Sequence, residues 1–227
     1  MCGRFTLTTP AEEWAELFEV EPIETEPRYN IAPTDDIVVV RRLPDSEERE
    51  ATRMRWGLIP SSTRSRDDLP LMINARRETI REKPSFRDSF LERRCVVVAD
   101  GFYEWLNDVG GKRPFWIHLA AGGPFGLAAI WDRWEGDDGP IESVAILTTD
   151  ASEDLAPIHD RMPGVLVGHQ IDRWLTPSAG PSELDSIVAD PEPGRMALRE
   201  VSTRVNSVEH DDEECLAPSG TQVDLFS

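Results

Sequence analysis

The sequence predicts an α+β fold built on antiparallel sheet, and three observations lead there. Strand-like segments outnumber helical ones, and the two kinds do not alternate as a doubly wound sheet requires. No apolar run approaches the roughly 20 residues of a membrane span. At 227 residues the chain is long enough for one sizeable core and too short to require two. The expected organisation is a single domain over 1–208 followed by a tail over 209–227.

The first expected element is a helix at about 10–19. Thr9-Pro10-Ala11-Glu12 reads as a capping box with proline at the first helical position, and Trp14, Leu17 and Phe18 then share one face. Strands are expected at 37–41, 54–59, 95–105, 114–119, 125–131 and 144–149, separated by turn-rich segments. Further helices are expected near 85–93, 151–158, 168–175 and 181–189. No internal repeat is visible. From Glu209 to Glu214 the chain reads Glu-His-Asp-Asp-Glu-Glu, a charge density that opposes burial and predicts disorder.

The formal net charge of −19 argues against a generic nucleic-acid binder, because phosphate binding wants a basic face. The average hides an asymmetry. Between Arg53 and Arg94 eleven basic residues face six acidic ones, a local excess of five positive charges. Lys83 and Lys112 are the only lysines, so arginine carries nearly all the positive charge. A salt-loving host would produce this combination, and so would an ordinary acidic surface that maintains solubility. Met1 to Phe5 carry no basic stretch followed by an apolar core, which predicts a cytoplasmic protein. A monomer without membrane attachment is expected.

The three cysteines, Cys2, Cys95 and Cys215, form no Cys-x-x-Cys pair and have no histidine at metal-ligand spacing. Neither structural zinc, a disulfide framework nor another cofactor is expected. Cys95 opens an apolar run and reads as a small buried hydrophobe, and Cys215 sits in the acidic tail. Cys2 is different. Removal of Met1 would leave a cysteine with both a free α-amine and a thiol. Such a 1,2-aminothiol condenses with an aldehyde to an imine, and the thiol then closes a five-membered thiazolidine. An α-amine titrates near pH 8, so part of it is neutral at physiological pH, and the thiol is held beside the imine at high effective concentration. An incidental frayed terminus is the alternative reading of residue two.

Six further segments stand in order along the chain: Tyr29-Asn30-Ile31-Ala32-Pro33-Thr34, Trp56-Gly57-Leu58-Ile59-Pro60, Asn74-Ala75-Arg76-Arg77-Glu78-Thr79, Asp100-Gly101-Phe102-Tyr103-Glu104-Trp105, Ile158-His159-Asp160-Arg161-Met162-Pro163 and Val201-Ser202-Thr203-Arg204-Val205-Asn206. With the Cys2-Gly3-Arg4 start, they resemble the motifs of the SOS response-associated peptidase (SRAP) family from residue 2 to about 208. The resemblance implies an antiparallel, barrel-like sheet core with peripheral helices. It also implies a DNA–protein crosslinker whose N-terminal cysteine bonds the ring-opened aldehyde of an abasic site in single-stranded DNA.

Carried over position by position, the resemblance makes Cys2 the nucleophile. Asn74 becomes the amide that orients Cys2 or the opened sugar, Glu104 a proton-transfer group, and His159 the acid that protonates the sugar oxygen and assists reversal. Plain readings stand beside these: a structural amide for Asn74, a solvent-facing strand residue for Glu104, and a structural histidine. Among His118, His159, His169 and His210, only His159 lies in a matched motif. Arg4, Asn30, Arg76 and Arg161 are the candidates for DNA contacts, with Trp56 and Trp105 for base stacking. Surface ion pairs and core packing are the alternatives for these arginines and tryptophans.

Three rival activities remain. An N-terminal cysteine amidohydrolase also begins Met-Cys-Gly, but shares only those residues. A peptidase limited to releasing Met1, with or without lyase activity, keeps the family resemblance. A fork adaptor would use Gln222, Leu225 and Phe226, which look like a glutamine-to-aromatic peptide that docks in sliding clamps, although such short motifs also arise by chance.

Overall fold

The computed structural model describes residues 2–43, 46–109, 111–189 and 194–219. In chain order the elements are β1 (Phe5–Leu7), α1 (Ala11–Phe18), β2 (Arg28–Ile31), β3 (Asp36–Arg42), β4 (Arg49–Trp56), β5 (Asn74–Arg76), α2 (Pro84–Glu92), β6 (Arg94–Ala99), β7 (Gly101–Asp108), β8 (Gly111–Leu119), β9 (Phe125–Gly136), β10 (Gly139–Asp150), β11 (Arg161–Pro163), β12 (Val165–Leu166), α3 (His169–Leu175), α4 (Pro181–Ala189) and β13 (Met196–Glu200).

Strands β10, β4, β3, β6 and β9 pair in that order, and β9 pairs back to β10, so five strands close into a barrel. Closure removes the sheet edges that would otherwise template association. All of its pairings are antiparallel except β4–β10, where Arg55 lies opposite Ser143 and Trp56 opposite Val144. Strand β5 adds a second parallel pairing to β10, and β11 and β12 extend the sheet. A second sheet, antiparallel throughout, runs β13-β8-β7-β1-β2.

Strand β6 is buried at every residue, as its unbroken apolar run demands, because α2 and α3 cover it. Arg94, at its start, is buried and has no carboxylate partner among the described residues. Its guanidinium instead donates to the carbonyls of Phe90 and Leu91 in α2, Trp174 in α3 and Thr176 just beyond, closing the C-terminal turns of both helices.

The expected strand over 95–105 is two strands, divided at Asp100. The Asp100 carboxylate accepts from the hydroxyl of Thr6 and from the amides and hydroxyls of Thr8 and Thr9, at 2.5 to 3.0 Å. Those bonds turn the chain out of the barrel and into the second sheet. Gly101 follows because a Cβ there would lie 2.0 Å from the Trp116 Nε1. The same network corrects the reading of Thr9. Its side chain serves Asp100, and Pro10 stands at the N-cap of α1 with no side-chain cap.

Three other expectations change. Residues 151–158 form consecutive turns rather than a helix, with the amides of Leu155 and Ala156 both bonding the Ser152 carbonyl. The short strands β1, β2, β5, β11, β12 and β13 lie outside the expected set. The disorder expected from residue 209 does not hold over 209–219. Asp211 there accepts from the amides of Tyr29 and Asn30 and pairs with Arg28, Asp212 pairs with Arg204, and Cys215 is buried. Tyr103, Val201, Val205 and Cys215 form a second small core with Trp105 and Trp116 against it, so this segment covers the outer face of the second sheet. The clamp-like residues Gln222, Leu225 and Phe226 lie outside the described residues. Among the described residues no helix is long and apolar enough to cross a membrane.

Candidate active site

The second residue is anchored rather than frayed. Phe5 and Thr6 of β1 lie opposite Phe102 and Gly101 of β7, and the Tyr103 amide bonds the Arg4 carbonyl at 3.0 Å. Continuing this register lays residues 2–4 along the Glu104 end of β7 and takes Cys2 out of solvent completely. The Asn74 Nδ2 donates to the Cys2 carbonyl at 2.8 Å. Asn74 is delivered by the parallel pairing of β5 with β10, in which it lies opposite Ile146. Its Oδ1 is buried and has no hydrogen-bond partner among the described residues. Burial raises the pKa of the Cys2 thiol well above its ordinary value, and the charge of Glu104 adds to the effect. The sulfur is therefore held as S–H, with only a long 3.9 Å contact to the Arg4 carbonyl.

Alternation along β7 explains Glu104. Tyr103 and Trp105 face the second core and the C-terminal segment, while Phe102 and Leu106 face the main core. Glu104 shares their side and is only 4% exposed. Burial raises the pKa of its carboxyl above the usual carboxylate value, and the charge of His159 pulls in the other direction. A carboxyl in that state keeps its proton to higher pH than an ordinary one and can release it to a neighbour.

His159 arrives from the turns after β10. Its Nδ1 accepts the Arg161 backbone amide at 2.9 Å and lies 3.0 Å from Asp160 Oδ1. The Arg161 side chain bonds both Glu78 oxygens at 2.9 and 3.0 Å, Asp150 Oδ1 at 2.6 Å and the Thr148 carbonyl at 2.6 Å. Cys2, Asn74, Glu104 and His159 thus come from four separate parts of the chain to one place. The cluster combines a thiol, a fixed amide, a carboxyl of raised pKa and an imidazole, which together suit addition to a carbonyl with proton transfer.

The proposed DNA-contact residues divide. Arg76 is exposed and has no ion-pair partner among the described residues. Arg4 is half-buried, and its Nη1 bonds Asn30 Oδ1 at 2.8 Å and the Val205 carbonyl at 3.0 Å. Asn30 is 1% exposed, with its Nδ2 given to the carbonyls of Val205, Ser207 and His210. It positions Arg4 and the C-terminal segment. Trp105 is half-buried and donates to Asn206 Oδ1 at 2.7 Å. Arg161 is buried, with both terminal nitrogens engaged as described above. Trp56 corrects the stacking expectation: it is fully buried, packs edge-on against Phe5 at 5.2 Å and donates to the Ile73 carbonyl, leaving no face for a base.

The sequence reading gave no role to Glu78, Thr148, Asp150 or Asp211. Glu78 lies in the Asn74 to Thr79 segment, two residues past Arg76, and only the pairing order of β5, β10 and β11 reveals its partner. An open groove of about 360 Å³, lined by Leu71, Met72, Ile73, Lys83 and Phe86 among others, reaches Asn74 from the surface.

Comparison with known proteins gives a consistent picture. The sequence pattern described as "SOS response associated peptidase (SRAP)" matches residues 1–208. The chain is 35% identical over 223 residues to the abasic site processing protein YoaM of Bacillus subtilis, covering 95% of this chain and 97% of that one. It is 36% identical over 224 residues to the abasic site processing protein HMCES of Gallus gallus, covering 85% of this chain and 66% of the relative. A crystal structure of a protein from Bacteroides thetaiotaomicron superposes with a TM-score of 0.86 at 26% identity, over 96% of this chain and all of the other.

Proposed function

The chain belongs to the SOS response associated peptidase family, and from that premise we propose that it processes abasic sites in single-stranded DNA by covalent capture through Cys2. The observation that carries the reading is the 2.8 Å bond from Asn74 to the Cys2 carbonyl, which fixes a buried second residue beside Glu104. The names of the relatives support the substrate class.

Met1 must leave first, because the peptide bond occupies the Cys2 nitrogen. The neutral α-amine then adds to the aldehyde of the ring-opened deoxyribose, and loss of water gives an imine. The S–H adds across that C=N bond: sulfur bonds the former aldehyde carbon, the thiol proton passes to Glu104, and the nitrogen takes a proton back. Aldehyde and aminothiol become a thiazolidine plus one water. A sulfur held as S–H beside a carboxyl suits this order, since the thiol is needed only after the imine has formed, by when Glu104 has given its proton to the departing hydroxyl and can act as base. A thiolate peptidase wants the opposite, a cysteine of lowered pKa. His159 protonates the sugar oxygen on ring opening, and the same groups run the reversal.

Arg4, Arg76 and Trp105 supply contacts to the strand beside the lesion. With a net charge of −19, phosphate contacts alone hold DNA weakly and fall further with salt, so the covalent bond provides the retention. Lyase activity, self-release of Met1, a cytoplasmic setting and clamp docking through 222–226 extend the same reading. The direct test is denaturing electrophoresis after incubation with an abasic oligonucleotide. Cys2→Ala is expected to give no heat-stable adduct and Cys2→Ser at most a labile one; a full-yield stable adduct from Cys2→Ala would refute the chemistry.

A further inference from the structure

We infer that Glu78 is a positioning residue for His159, acting through Arg161 as a brace across β10. Strand β10 is flanked by β5, which carries Asn74, and by β11, which begins at Arg161 directly after the His159 turn. Glu78 follows β5 and its carboxylate grips the Arg161 guanidinium with both oxygens. This fork-to-fork pair is the most geometrically defined contact a carboxylate and an arginine can make. It ties the strand that fixes Cys2 to the strand that fixes His159.

The consequence for His159 follows from donor and acceptor rules. A backbone N–H can only donate, so at 2.9 Å from the Arg161 amide the His159 Nδ1 must carry its lone pair there, and the neutral ring keeps its proton on Nε2. Asp160 Oδ1, 3.0 Å from the same nitrogen, offers the reverse arrangement, because a carboxylate is satisfied only by a protonated Nδ1. The two compete for one atom. Asp160 is 87% exposed, so its pull is screened and its side chain is loosely held. The amide belongs to a residue whose side chain is 10% exposed and held by Glu78, Asp150 and the Thr148 carbonyl. The amide therefore wins while the brace is intact. The charged groups around the ring are Asp160 in its own turn, Glu104 on β7 and Arg161 on β11, with Glu78 and Asp150 behind Arg161. Asp150 is 77% exposed against 39% for Glu78, which leaves Glu78 as the better shielded of the two carboxylate anchors.

This rests on the crosslinking reading for its kinetic arm and is independent of it in a spectroscopic one. In long-range ¹H–¹⁵N NMR of the intact protein, His159 is expected to show a protonated Nε2 and a bare Nδ1 at neutral pH. Glu78→Ala is expected to mix the tautomers, and Glu78→Gln, which keeps one hydrogen bond to Arg161, to fall between. On abasic single-stranded DNA, Glu78→Ala is expected to crosslink about tenfold or more slowly. Its pH–rate profile should move to higher pH, as an Nδ1 released from the amide takes a proton toward Asp160. A His159 protonated on Nδ1 in the unmutated protein would overturn the inference. So would a folded Glu78→Ala protein of lower melting temperature whose tautomer and pH profile match the unmutated protein. Failure of the unmutated protein to crosslink would instead remove the crosslinking reading, with the tautomer still deciding the brace.

Discussion

At the start of β7, Asp100 is 7% exposed and its carboxylate accepts five hydrogen bonds from three threonines. Four residues along the same strand, Glu104 is 4% exposed, and burial raises its pKa. Both are acids taken out of water at nearly equal depth, yet their surroundings differ. The Asp100 corner supplies a full set of donors, and the carboxylate is spent on folding the chain. At Glu104 burial outweighs the charges that would favour the carboxylate, and the carboxyl stands beside a thiol and an imidazole. Burial alone does not distinguish a structural acid from a reactive one; the balance of charge and the groups set beside it do.

The largest expected effect separates the two regions by chemistry. Glu104→Gln should slow crosslinking to abasic DNA by about a hundredfold in single-turnover assays. An Asp100 variant that still folds should crosslink near the unmutated rate. Equal slowing by both would erase the distinction.

Stability should reverse the order. Asp100→Ala leaves the buried Thr6 hydroxyl and the half-buried hydroxyls and amides of Thr8 and Thr9 without their acceptor, and a loss of about 3 kcal/mol is expected in urea unfolding. Glu104→Gln should stabilise the protein, in a defined pH window. Because the folded pKa of Glu104 lies above its ordinary value near 4.5, the folded state prefers the protonated carboxyl. Its contribution is favourable below pH 4.5 and is lost as pH rises through the folded pKa. Glu104→Gln should therefore raise the melting temperature at pH 8 and leave it unchanged near pH 4. A variant less stable at pH 8 would show that burial does not penalise the Glu104 carboxylate.

The smallest expected effect concerns the backbone. Thr34, in the Tyr29 to Thr34 motif, has φ 81°, a left-handed conformation that a β-branched residue adopts at a cost of order 1 kcal/mol. Thr34→Asn should recover about 0.5–1 kcal/mol, read as a shift in urea midpoint. No gain would mean that the Thr34 side chain offsets the strain.

The contrast also explains which parts were legible in the sequence. The barrel strands were readable because β3, β6, β9 and β10 carry apolar runs that burial on both faces requires. The split at Asp100 was not, because its donors lie about ninety residues earlier and local pattern sees only a strand interrupted by one acid. The same distance hid the fate of the acidic segment. Its composition predicts solvation, but Arg28 and the amides of β2, some 180 residues away, bind Asp211. Strands β1 and β2 are only three and four residues long and exist by pairing with β7 and with each other. Cys2, Asn74, Glu104 and His159 were readable from motif resemblance, and their convergence is a product of register. Trp56 failed because a tryptophan in a motif serves packing as readily as stacking, and only burial decides.

The most direct measurement is intact-protein mass spectrometry before and after incubation with an abasic single-stranded oligonucleotide. The account predicts a free protein lacking Met1 and an adduct whose mass is the sum of protein and DNA less one water, mapped to Cys2. A protein that retains Met1 and still forms that adduct, or one that lacks Met1 and forms none, would contradict it.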